Sequence, residues 1–194
     1  RIRMPHRNKN GQYDNWAKTS LPWMSIGYET QIPPISTLTF YNTIANNGKM
    51  MRPRFVSKVM KNGETIMEFP PEVMRQQIAK EKSIKELQTI LEQVVSVGLG
   101  KKAGSPNFKV AGKTGTAQIS KGAGGYKSGG TSYLISFAGY FPADAPRYSC
   151  IVCIQKSGLP ASGGTMCGKV FHEISEGIMA QSLKVDVKYA RDSA

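Results

Sequence analysis

Leu87, Ile90, Leu91, Val94 and Val95 recur at i, i+3, i+4, i+7 and i+8, the spacing that lines up one face of an α-helix and requires burial against a partner surface. Just upstream, Ser83-Ile-Lys-Glu86 has capping-box spacing, in which side chains satisfy orphan amides of the first turn, so the pattern predicts a helix starting at Ser83 and ended by Gly98. A second helix is predicted from Pro33-Pro34 to about Ala45, stopped by Asn46-Asn47-Gly48, residue types that tolerate the left-handed conformation. A third is predicted over 168–183, with Val170, Phe171, Ile174 and Ile178 on one face.

Between the last two helices the apolar pattern becomes strand-like over 110–119, 131–141 and 147–155, the last two joined by the short turn 142–146. Short connections make such strands antiparallel neighbours. Two shorter strands, 52–60 and 65–69, are predicted around Lys61-Asn62-Gly63. The first thirty residues are irregular and polar, with Trp16, Trp23 and Tyr28 as packing anchors. Helices on both sides of a strand cluster, without strict alternation, predict an α+β fold: an antiparallel sheet flanked by helices. No internal repeat is present.

The 194 residues, 40% hydrophobic and 20% charged, describe one globular unit rather than a disordered or fibrous chain. The longest nearly unbroken apolar run, 133–141, is interrupted by Ser136 and falls far short of the roughly 20 residues of a spanning helix. The chain starts at Arg1 rather than Met and continues with a polar stretch, as expected of a piece of a longer chain. Lys plus Arg number 26 against 13 Asp plus Glu, a net charge of +13, which attracts polyanions without choosing among them. The basic residues are scattered, as on a solvated surface.

Cys150, Cys153 and Cys167 form an odd set. Positions three apart on a strand face opposite sides, so Cys150 and Cys153 are expected as small buried hydrophobes rather than a redox or zinc pair. His6 and His172 show no acid or base partner in the sequence, and the nine methionines have no metal-ligand spacing. No metal or cofactor is expected.

Gly112-Lys113-Thr114 looks like the end of a phosphate loop, but the glycine which that motif needs at position 107 is an asparagine. The spacing Gly98-Leu-Gly100 follows a helix, whereas a dinucleotide fingerprint follows a strand. The glycine-rich run 120–130 reads as a connection between strands. The stretch 110–118 carries more chemistry, for it sets Lys113, Thr114, Gly115, Thr116 and Gln118 on one strand. Lys113 offers positive charge and the threonines offer hydroxyl donors, which together suit a carboxylate. Glycines survive inside a strand where another backbone or a ligand comes close, so Gly112 and Gly115 predict docking against this edge.

Lys113-Thr114-Gly115-Thr116 resembles the Lys-Thr-Gly element of penicillin-binding proteins and serine β-lactamases. Ser25-Ile-Gly-Tyr28 and the segment 37–48 are similar to the Gly-Tyr turn and following helix of class B penicillin-binding proteins. The stretch Ser136-Phe-Ala-Gly139 through Arg147-Tyr148, the pair Gly163-Gly164 and Val170-Phe171-His-Glu-Ile174 resemble that family's subsequent strands, last loop and final helix. The resemblance covers essentially the whole chain and lies nearest to division-associated members. It implies that residues 1–194 are the carboxy-terminal part of a transpeptidase domain.

No serine is followed three positions later by lysine, so the nucleophile of that family is absent from these residues. The sole Ser-x-Asn, Ser105-Pro-Asn107, lies just before the Lys-Thr-Gly stretch rather than well upstream, and reads as coincidence. The resemblance implies acyl transfer on D-alanyl-D-alanine stem peptides of peptidoglycan, by a protein acting on the outer face of the cytoplasmic membrane and held there by an anchor upstream. Lys113 and Thr116 would be the catalytic residues and Lys113, Thr114, Gly115, Thr116 and Gln118 would bind the stem peptide or a β-lactam. Other cell-wall or division proteins are implied partners. A related β-lactamase or D,D-carboxypeptidase is the nearest alternative, but usually lacks the helix and the Ala-Asp-Ala-Pro turn seen here. A non-catalytic polyanion-binding module is the other, and the absence of an RNA-binding aromatic signature counts against nucleic acid.

Overall fold

In a computed structural model, which describes residues 5–14, 16–30, 32–119 and 131–192, contacts divide the chain into two units, Arg1–Thr37 and Leu38–Ala194. The glycine-rich run 120–130 lies outside the described residues. Within the first unit, helix α1 (Ser20–Ser25) carries Trp23, whose ring meets Tyr28 edge-on at 5.2 Å, so these two aromatics anchor each other. His6 does have an acidic neighbour, contrary to the sequence expectation: its Nδ1 lies 3.0 Å from Asp14, both side chains being exposed. The pairing Arg7↔Tyr13 folds the chain back between them. Helix α2 (Pro34–Ala45) has the predicted bounds, and Asn47 and Gly48 follow it at φ 54° and 94°, the predicted left-handed stop.

Two small antiparallel ladders follow, β1 (Met50–Met51) with β4 (Val73–Arg75), and β2 (Lys58–Lys61) with β3 (Glu64–Glu68). Both hairpin strands are exposed throughout. The first is shorter than the predicted 52–60, because Arg52 donates to the Glu72 carbonyl beside the β1–β4 pair, whereas the β2–β3 ladder starts where Lys58 meets Glu68. Helix α3 (Glu81–Ser96) begins two residues before Ser83, with Lys80 at the cap and no side-chain cap bond. The Ile84 amide bonds back to Lys80, and Ile84 is buried, so packing at Ile84 rather than a Ser83 cap sets the start. The buried line is Ile84, Leu91 and Val95, while Leu87 and Ile90 of the predicted stripe stay exposed.

The centre of the second unit is a three-stranded antiparallel sheet in the order β5-β6-β7, made of β5 (Ala111–Ile119), β6 (Ser132–Phe141) and β7 (Tyr148–Ser157). Gly115 pairs with Ser136, and Ser136 with Cys153. Since side chains alternate along a strand, Ile135, Phe137 and Val152 face one way, into a core completed by Val95, Ala103, Cys167 and Phe171. Helix α4 (Gly168–Asp192) closes that face, with the Phe171 ring 4.8 Å from Phe137 and 5.6 Å from Phe141. Of its predicted apolar face Phe171 is buried, but Val170 and Ile174 are exposed, because α4 meets the sheet along a narrower line than the pattern allows. The opposite face packs Ala111 and Tyr140 beneath Ile44 of α2 and Leu91 of α3. Gln88 ties these helices together by donating to the Ile44 carbonyl at 2.8 Å.

Cys150 and Cys153 do point to opposite faces, yet only the first packs on the core; Cys153 is exposed, correcting the expectation of burial. Cys167 is buried in the core and all three thiols are free.

The Tyr140 hydroxyl is buried without a hydrogen-bond partner, and burial, reinforced by the negative Glu92, pushes its pKa up to about 12. A phenol harder to ionise when folded contributes stability that is complete below the unfolded pKa near 10 and is lost as pH rises through about 12. Between those limits the loss is on the order of 2 kcal/mol. Urea unfolding at pH 9 and pH 12 is expected to show this drop in the native protein and a smaller one in Tyr140→Phe. The same replacement is expected to cost nothing at neutral pH, since it removes a buried polar atom with no bond to lose; a destabilisation above about 1 kcal/mol would count against this reading.

Candidate active site

Among the described residues strand β5 is an edge strand, so one side of its backbone faces no other strand of the sheet. Its register sets Lys113, Gly115 and Ala117 on the face of Ser136 and Ala138, and Thr114, Thr116 and Gln118 on the face of Ile135 and Phe137. Lys113, Thr116 and Gln118 are exposed, and Thr114 and Gly115 half-buried, so the five residues singled out from the sequence share one accessible strand edge.

The Lys113 ammonium folds along this edge and donates to the Thr114 carbonyl at 2.9 Å and to Thr114 Oγ1 at 3.3 Å. Thr116 Oγ1 accepts from the backbone amide of Gly163 at 3.3 Å. That amide belongs to a single wide turn, Gly163–Cys167, entered through Ser162, whose hydroxyl accepts from the Thr165 amide and lies 3.2 Å from Thr165 Oγ1. The turn sits directly on the strand. A Cβ at Gly163 would collide with the carbonyl oxygens of Gly115 and Ser136, and one at Gly164 with the carbonyl of Leu99.

The strand glycines make room for a neighbouring strand. A Cβ at Gly112 would reach 2.6 Å from the Phe137 ring, and one at Gly115 would strike the Ser136 hydroxyl. What comes close at both positions is the protein's own β6, across the strand pair. Gly163 was visible in the sequence only as half of a Gly-Gly pair. Ser162-Gly-Gly-Thr165, a serine three residues before a threonine whose amide it accepts, is the local signal that marks the turn.

Other candidates lie elsewhere. Ser105 and Asn107 both bond Glu176 of α4, and His172 Nδ1 lies 2.8 Å from the Gly104 carbonyl; together they fasten the loop before β5. A cleft of about 680 Å³ opens beside that loop, between Val95, Ser105, Phe108 and Asp144. On its wall Lys109 meets Glu92 at 2.8 Å, which raises the lysine pKa. Among the described residues no group of His, Cys, Asp and Glu is arranged to hold a metal, and no helix is long and apolar enough to cross a membrane.

A family model described as the penicillin binding protein transpeptidase domain matches residues 2–176. Penicillin-binding protein PbpB of Mycolicibacterium smegmatis is 30% identical over 177 residues, covering 86% of this chain and 27% of that protein. Peptidoglycan D,D-transpeptidase FtsI of Escherichia coli is 27% identical over 170 residues, covering 87% of this chain and 26% of that protein. Among solved structures, penicillin binding protein 3 of Mycobacterium tuberculosis complexed with aztreonam superposes with a TM-score of 0.71 at 29% identity, over 87% of this chain and 39% of that one. The chain thus spans about a quarter of the length of these curated relatives.

Proposed function

The chain belongs to the penicillin-binding protein transpeptidase family, and on that premise we propose that it forms the carboxyl-binding and oxyanion wall of a serine D,D-transpeptidase that cross-links peptidoglycan. The observation that carries this reading is the free edge of β5, where Lys113, Thr114 and Thr116 offer one ammonium and two hydroxyls in register.

A serine outside residues 1–194 gives its proton to a lysine of a Ser-x-x-Lys pair and attacks the penultimate D-alanine carbonyl. The carbonyl–nitrogen bond breaks, the terminal D-alanine leaves with the proton on its amine, and an amine of a neighbouring stem peptide then displaces the serine from the acyl-enzyme. The Thr116 backbone amide is one donor to the oxyanion. Lys113, Thr114 and Thr116 receive the terminal carboxylate, while the stem peptide adds as a strand along 113–118, with Gln118 at its far end. A β-lactam carries the same carboxylate and acylates the same serine. The protein acts on the outer face of the cytoplasmic membrane, tethered by an anchor outside this chain and working with other wall-synthesis proteins.

Incubation of the full-length protein with benzylpenicillin is expected to add one penicilloyl group, seen by intact mass, that hydrolyses slowly. Residues 1–194 alone are expected to gain none, because they carry no Ser-x-x-Lys. Absence of the adduct from the full-length protein would defeat the assignment. Rapid catalytic turnover of the antibiotic would point to a β-lactamase instead.

A further inference from the structure

A hydroxyl has one proton to give and two lone pairs to receive. At Thr114 a lone pair is engaged by the Lys113 ammonium, which can only donate. At Thr116 a lone pair is engaged by the Gly163 amide, which also can only donate. No acceptor among the described residues takes the Thr116 proton. Two positions apart on one strand face, the two hydroxyls are therefore wired alike: each is fed by a donor from the protein, and among the described residues neither proton is taken, which leaves both for a ligand.

The Gly163 amide is closely packed in this arrangement. Its Cα is wedged against the Gly115 and Ser136 carbonyls so closely that no side chain fits, Gly164 is wedged in the same way against Leu99, and the Ser162 hydroxyl closes the turn on the Thr165 amide.

Resting on the transpeptidase reading, we infer that Gly163 is a positioning residue for substrate selection: by occupying one Thr116 lone pair its amide orients that hydroxyl's proton for a ligand, so the edge of β5 accepts a carboxylate in preference to a neutral carbonyl group. A ligand carboxylate takes both hydroxyl protons in charge-assisted bonds beside the Lys113 ammonium, whereas an ester offers a weaker acceptor and no charge.

The test measures acylation rate constants of the full-length protein with benzylpenicillin and with its methyl ester. The native protein is expected to favour the acid by about 10- to 100-fold, the worth of charge-assisted bonds. Thr116→Val is expected to lower that ratio about tenfold and Thr116→Ser to keep it. Gly163→Ala is expected to lower the ratio as Thr116→Val does, and to lower it no further when the two are combined. A Gly163→Ala variant that slows both compounds equally would mean a merely structural role and would overturn the inference, as would a further fall in the double variant. Should Gly163→Ala fail to fold, Ser162→Ala, which loosens the turn without adding a side chain, decides: a ratio lowered severalfold supports the inference and an unchanged ratio overturns it. A native protein acylated by neither compound overturns the transpeptidase reading itself, and the inference with it.

Discussion

Replacing Lys113 by alanine in the full-length protein is expected to slow acylation by benzylpenicillin about 100-fold or more, the usual consequence of removing a preorganised donor from an acyl-transfer site. Lys113 is exposed, and among the described residues its ammonium bonds only Thr114, at 2.9 Å to the carbonyl and 3.3 Å to the hydroxyl. The alanine variant therefore deletes the fixed charge at the strand edge and releases the Thr114 hydroxyl to turn, without opening the core. Thermal unfolding is expected to be nearly unchanged, since exposed substitutions of this kind seldom move stability by more than about 0.5 kcal/mol. Lys113→Arg keeps the charge but carries a planar fork in place of a compact ammonium, and an intermediate rate is expected. Stopped-flow acylation with all three proteins distinguishes these results; an alanine variant within threefold of the native rate would remove Lys113 from the site.

The largest expected loss of stability lies on the adjacent strand. Phe137 is fully buried, its ring 4.8 Å from Phe171, and it occupies the space that a side chain at Gly112 would need. Phe137→Ala leaves a cavity between sheet and helix α4 that rigid neighbours fill only in part, at a cost of about 3–5 kcal/mol. Leu134 is the internal comparison. It lies three residues away on the same strand, faces the other side and is 44% exposed, so Leu134→Ala is expected to cost under about 1 kcal/mol. Urea unfolding of the two variants reads the difference directly, and equal midpoints would mean that the Phe137–Phe171 contact does not hold the sheet to α4. Because Phe137 pairs with Thr114, loss of its packing is also expected to slow acylation, through the strand it supports.

Local patterns carried the elements that depend on neighbours in sequence. The bounds of α2 follow from two prolines at one end and Asn47 and Gly48 at the other, all acting within a turn of the chain. The three central strands were legible because alternation and a five-residue turn need no distant partner, and so was the presence of one ammonium and two hydroxyls on a single strand, which is written in consecutive residues. The start of α3 was not legible, because Ser83-Ile-Lys-Glu86 has capping spacing whether or not the chain enters there, and burial of Ile84 decided the entry. Leu87, Ile90, Val170 and Ile174 obey helical spacing but remain exposed, since spacing defines a face while the width of the contact belongs to the partner.

The sequence by itself determined the main helices and the three central strands, the α+β class, the likeness to penicillin-binding transpeptidases and the ammonium and hydroxyls at 113–118. Tertiary structure alone decided that Gly112 and Gly115 make room for Phe137 and Ser136, that Cys153 is exposed while Cys150 packs, and that the Gly163 amide meets Thr116 across 47 residues of chain. Periodicity is a property of a few consecutive residues, fixed by the backbone geometry of each element. The contact between Gly163 and Thr116 depends on strand register and on where β7 delivers the chain to the turn before α4, and both are set by burial of side chains far apart in sequence.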